Sequence, residues 1–114
     1  MPGFPNDQSN PAGAIPVYVT SGSPPTFVDA SAVIPAATLT EVLPANASRR
    51  YLLIQNLTPG EDIWINLFGG DAEAYTTPSI LLAAGQTYES GSVVTNMAVS
   101  IYSTNGAVVT VVEG

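Results

Sequence analysis

No cysteine, histidine or lysine occurs in these 114 residues, and the basic side chains are Arg49 and Arg50 alone. Each absence removes a class of chemistry. Without histidine or cysteine there is no Ser-His-Asp or Cys-His nucleophile system, no structural zinc and no disulfide. Without lysine there is neither Schiff-base chemistry nor a phosphate-gripping P-loop. Nine acids against two arginines give a formal charge of −7, too acidic for a nucleic-acid partner, whose phosphates need several cations. The same balance disfavours an anionic membrane surface, and no apolar run approaches the roughly 18 residues of a membrane span. The opening MPGFPNDQSN lacks the basic start and apolar stretch of a secretory signal. Charged residues make up 10% of the chain, against about 25% in typical soluble domains. With 46% hydrophobic residues, that scarcity implies either a surface covered by other protein or a neutral one decorated with Ser, Thr and Asn.

Proline and glycine are plentiful by comparison, at ten each. Pro2, Pro5, Pro11, Pro16, Pro24, Pro25, Pro35 and Pro44 crowd the first 44 residues. Each removes an amide donor and biases its predecessor toward extended geometry, which leaves no room for a stable helix. Residues 1–44 therefore read as an extended N-terminal arm and 45–114 as a compact β domain. Within the arm, Ile15–Thr20 and Thr26–Asp29 are strand-like, and Asp29–Val33 has room for a single helical turn. From Thr38 onward, apolar runs separated by turn residues predict strands over 38–43, 49–57, 62–68, 79–83, 86–90, 97–102 and 107–113. Asn105-Gly106 is the pair favoured in tight type I′ hairpins. Seven to eight short strands at this spacing predict an all-β fold, an antiparallel sandwich or jelly roll. A body of about 70 residues has a small core, which docking of the arm or association with further copies would stabilise.

Period-2 alternation assigns faces. Leu52 and Ile54 share one face, with Tyr51, Leu53 and Leu57 on the other. Ile63, Ile65 and Leu67 oppose Trp64 and Phe68, and Val109 and Val111 oppose Val108 and Val112. One face of each strand supplies the core. The second face, carrying Leu53, Trp64, Val108 and Val112, is too apolar to remain in water and calls for the arm or a neighbouring subunit. In the arm, Phe4, Ile15, Val17, Tyr18, Val19 and Phe27 are the apolar residues suited to docking. If the arm is the clamp, deleting residues 1–36 abolishes docking and leaves the β domain folded. Arg49 and Arg50 at the start of a strand point one guanidinium to each side, toward a local or intersubunit carboxylate.

Residues with chemical potential are few. Paired carboxylates are all a glycosidase needs, yet Glu61-Asp62 and Asp71 with Glu73 sit in turns, where acids are ordinarily solvated. Asp71 and Glu73 match no recognised calcium loop. Trp64 with Tyr51, Tyr75, Tyr88 and Tyr102 offers flat rings suited to sugar stacking, although aromatics spread over separate strands more often serve a core or an interface. No pattern calls for a cofactor or a catalytic residue.

The run Arg49-Arg50-Tyr51-Leu52-Leu53-Ile54-Gln55-Asn56-Leu57, followed by Asp62-Ile63-Trp64-Ile65-Asn66-Leu67-Phe68-Gly69-Gly70, resembles small virion structural proteins of tailed bacteriophages. The similarity continues through Gly85-Gln86-Thr87-Tyr88-Glu89 and Val99-Ser100-Ile101-Tyr102, and covers about residues 45–114. It implies a capsid cement (decoration) or head-fibre base protein: a β-rich, non-enzymatic module on the capsid surface, bound across capsomer junctions to the major capsid protein, often as a homotrimer. A tail, fibre or baseplate subunit would share these features, and a carbohydrate-binding module is a third expectation.

Overall fold

The computed structural model describes residues 26–114. They form nine strands and no helix: β1 (Val28–Asp29), β2 (Ala32–Ile34), β3 (Thr40–Leu43), β4 (Leu52–Asn56), β5 (Ile63–Asn66), β6 (Ile80–Leu82), β7 (Thr87–Glu89), β8 (Val99–Tyr102) and β9 (Ala107–Glu113). One sheet runs β1/β2–β9–β4–β7 and the other β3–β8–β5–β6, with every pairing antiparallel. The pairs are nested: β2 with β9, β3 with β8, β4 with β7 and β5 with β6. One long hairpin, its tip between β5 and β6, is in effect rolled into two facing sheets. This is jelly-roll connectivity, and the expected all-β sandwich is what the chain adopts.

The core lies between the sheets. Ile34, Leu52, Ile54, Ile63, Ile65, Val99, Ile101, Val109 and Val111 interdigitate there, all fully buried. Alternation explains the selection: in β9, Ala107, Val109 and Val111 turn inward while Val108, Thr110 and Val112 turn outward. Each large aliphatic side chain withdrawn from water contributes about 1.5–3 kcal/mol.

The division at Pro44 does not survive in the fold. Residues 28–43 form three strands of the sandwich, and Ile34 and Leu43 belong to its core. Proline misled the reading because Pro35 and Pro44 directly follow β2 and β3, so they end strands without removing a donor from any ladder. The predicted arm thus loses its second half to the domain. Its first part, with the strand-like Ile15–Thr20 and the candidates Phe4, Ile15, Val17, Tyr18 and Val19, lies outside the described residues.

Asp29–Val33 is extended, not a helical turn. β1 and β2 keep a single register against β9, Asp29 opposite Val112 and Ala32 opposite Val109. Between them the Asp29 carboxylate accepts from the Ser31 amide at 2.9 Å, and the Ser31 hydroxyl accepts from the Val111 amide at 3.1 Å. A side-chain oxygen replaces one backbone acceptor, so the ladder is interrupted without leaving Val111 unpaired. The β8–β9 turn also departs from expectation. Gly106 has φ +91° while Asn105 does not share the positive φ a type I′ turn requires. Asn105 instead donates its amide to Glu61 at 2.9 Å. Gly106 is required on steric grounds too, because a Cβ there would meet the Ile34 carbonyl at 3.2 Å.

Candidate functional site

The outer faces of the two sheets differ. On the β5/β8 sheet, the 67–79 connection folds back over its own strands. Asn66 holds it by accepting from the Phe68 amide (2.8 Å) and donating to the Asp71 carbonyl (3.3 Å). Ser100 accepts from the Ala72 amide (2.9 Å) and donates to the Gly70 carbonyl (2.9 Å). The loop carries Tyr75 to within 4.6 Å of the Trp64 ring centroid, and Trp64 is left 8% exposed. The expectation that an arm or neighbour must cover Trp64 is therefore corrected, since the chain covers it with its own loop. Sequence alternation placed Trp64 outward correctly but could not anticipate a long connection closing over it.

On the β9/β4 sheet, no such loop exists among the described residues. Val33 stands opposite Val108, and Leu57 follows the Asn56–Val109 pair on the next strand. These three form an apolar row, 71%, 47% and 49% exposed. A shallow hollow of about 290 Å³ runs between Val33, Leu57 and Val108. At the far end of the same face, Phe27 packs edge-on against Tyr51, ring centroids 5.5 Å apart. Leu53 lies half-buried on this face as well. The candidates Phe27 and Leu53 thus share one surface, whereas Trp64 belongs to the opposite sheet.

Arg49 is a structural residue. It is buried at 4% exposure and pairs with Glu113 through Nε at 2.6 Å. Its other nitrogens donate to the carbonyls of Thr95, Met97 and Pro44, each at 2.8 Å. The fork ties the 44–51 and 90–98 connections to the last strand, which only a guanidinium can do with one side chain. Of the two readings of the arginine pair, Arg49 takes the local carboxylate and leaves the interface set, while Arg50 is exposed.

Two further surfaces escaped the sequence reading. Phe68, Val93 and Met97, all exposed, border an apolar cleft of about 410 Å³ at one end of the sandwich. At the opposite end, Tyr75, Trp64, Glu61, Asp62, Thr104 and Asn105 border a polar pocket of about 330 Å³. The sequence singled out Trp64, Tyr75, Glu61 and Asp62 separately, as stacking rings and paired carboxylates, but could not bring them together, because each surface is assembled from turns far apart in the chain. Asp71 and Glu73 are both exposed, and among the described residues no three His, Cys, Asp or Glu side chains converge as metal ligands do. Asn56, in one of two Asn-x-Ser/Thr sequences, is fully buried and donates to the carbonyls of Glu61 and Leu82. No protein-family model, curated protein or solved structure matches the chain.

Proposed function

We propose that this protein is a non-enzymatic structural subunit of a bacteriophage particle, a cement or decoration protein that binds the major capsid protein across capsomer junctions. The observation that carries this reading is the asymmetry of the two outer faces. Among the described residues, the 67–79 connection covers Trp64 on one sheet, although Leu81 beside it stays 43% exposed, while no loop covers any of the Val33–Val108–Leu57 row on the other. A built-in apolar row on an otherwise well-packed sandwich suits attachment to another protein. The low charge density and the proline-rich residues 1–25 preceding β1 agree with a module that spreads along a larger assembly. Self-association as a homotrimer on the capsid surface belongs to the same proposal.

The test is decoration of particles. Val33→Glu with Val108→Glu leaves the core untouched, and the expected result is a folded protein that no longer attaches to capsids. Particles lacking the protein rupture at a lower temperature under this reading; identical rupture with and without it overturns the proposal. A copy number of a few per particle, in place of one comparable to the major capsid protein, selects a tail or baseplate subunit.

A further inference from the structure

We propose that the pocket between Tyr75 and the β4–β5 and β8–β9 turns binds a neutral saccharide unit. The proposal goes beyond the particle assignment and does not depend on it.

The argument begins with Tyr75. Its backbone sits at φ +56°, a conformation that favours glycine, and yet its side chain is 88% exposed. For a residue with a Cβ, left-handed backbone is unfavourable, and burial normally compensates it. Here the contact with Trp64 shields Trp64 and leaves the tyrosine ring in water. A ring held outward at such a position is positioned for something outside the fold.

The pocket beside it has the composition of a sugar site. Its volume, about 330 Å³, lies at the small end of ligand cavities and suits one or two pyranose rings. Tyr75 supplies a flat apolar face, to which the C–H face of a pyranose is complementary. Glu61, Asp62, Thr104 and Asn105 supply the polar rim. Carboxylates and amides are the groups that bridge vicinal hydroxyls, because they accept or donate in pairs at the right spacing. Asn105 and Glu61 are already joined at 2.9 Å, which fixes both before a ligand arrives and lowers the ordering cost of binding.

Charge selects the class of sugar. The rim holds two carboxylates and no cation, so phosphates, uronates and sialylated glycans are repelled. A cationic peptide is the competing occupant, with an arginine stacked on Tyr75. The Asn105 amide argues for the sugar, since it is a donor on the rim that a hydroxyl can accept from and a guanidinium, which has no acceptor, cannot use.

The test uses the full chain, labelled with nitrogen-15, and amide chemical shifts. Probes are neutral oligosaccharides of glucose, galactose, mannose and N-acetylglucosamine, a sialylated and a uronate oligosaccharide, and an arginine-containing peptide. The expected result is a saturable response to at least one neutral probe, centred on Asp62, Tyr75, Thr104 and Asn105 and insensitive to salt. Tyr75→Asn accommodates the left-handed backbone, which offsets loss of the Trp64 contact, so its denaturation midpoint is expected to change little while the sugar response weakens by roughly fivefold to tenfold. Silence toward every neutral probe overturns the proposal. So does a response confined to the charged oligosaccharides or the peptide, or one that Tyr75→Asn leaves intact.

Discussion

At the scale of single residues, stability turns on a few side chains that do more than fill space. Arg49 donates four hydrogen bonds from a buried position, one of them to Glu113. Breaking a buried ion pair by removing one partner costs about 3–5 kcal/mol, and Arg49→Met strands three carbonyls as well. Arg49→Lys keeps the charge but reaches fewer acceptors, so a loss of about 2 kcal/mol is expected. Urea titration of both variants checks the order, and a harmless Arg49→Met refutes the role assigned to this residue. Ala37, at φ +52°, is the reverse case. Ala37→Gly removes a left-handed penalty of about 1–2 kcal/mol against an entropic cost of up to ~1 kcal/mol, so the midpoint is expected to hold or rise.

Two titrating groups make a contribution to stability that depends on pH. The Ser31 hydroxyl, and then the Ser31 amide, favour the Asp29 carboxylate and hold its pKa below the ordinary aspartate value. The stabilisation is complete above the unfolded pKa and is lost as pH falls through the lower folded one. Tyr51 behaves oppositely. Its hydroxyl donates to Glu89 at 2.7 Å, a bond that requires the proton, and its pKa is raised first by that bond. That contribution is present below the unfolded tyrosine pKa and disappears as pH climbs through the raised value. Tyr51→Phe should therefore lie below the parent protein in stability at neutral pH and converge with it in strong alkali. Urea midpoints measured against pH test the convergence.

At the scale of elements, the 67–79 connection behaves as a tenth structural piece without being a strand. Ser100 accepts and donates to it with one hydroxyl, and Asn66 does the same with one amide. Ser100→Ala removes two such bonds, each worth about 0.5–1.5 kcal/mol. The expected consequence is local: faster amide exchange over the loop and greater exposure of Trp64, seen as a red-shifted fluorescence maximum. Unchanged Trp64 emission in a loosened loop shows that the ring is sheltered by something other than Tyr75. The strands themselves were readable, since β3 to β9 fall within the predicted segments. β2 was not, because Ala32-Val33-Ile34 is short, is cut off by Pro35 and owes its extended form to pairing with β9.

At the scale of the whole molecule, nesting matters most. The first strands pair with the last, so the fold closes only when residues some eighty positions apart meet, as Val28 and Glu113 do. Such non-local pairing makes folding slow compared with helical domains of equal length. It also changes what truncation does. Removing residues 1–25 is expected to leave a cooperatively folding sandwich. Removing 1–36 deletes β1, β2 and the core residue Ile34 and bares one edge of β9, so loss of cooperative unfolding is expected. A calorimetric transition of similar enthalpy in both truncations refutes this account.

The candidate interface divides along the same line between local pattern and closure. Leu53 was placed outward by alternation and Phe27 was read as an arm residue suited to docking, and the two share the outer face of the β9/β4 sheet. Arg49 and Trp64 were also read as surface groups, and the folded chain withdraws both, one into a ring of carbonyls and the other beneath Tyr75. By itself, the sequence determined the all-β class, the inward face of each long strand and the exclusion of histidine-, cysteine- and lysine-based chemistry, because those follow from residue identity and a two-residue period. Tertiary structure alone decided that residues 28–43 belong to the domain, that among the described residues a loop covers Trp64 on one outer face while none covers the Val33–Val108–Leu57 row on the other, and that Tyr75 meets Glu61 and Asn105 at one pocket. Those outcomes depend on which distant segments come together when the hairpin rolls up, and no local periodicity carries that information.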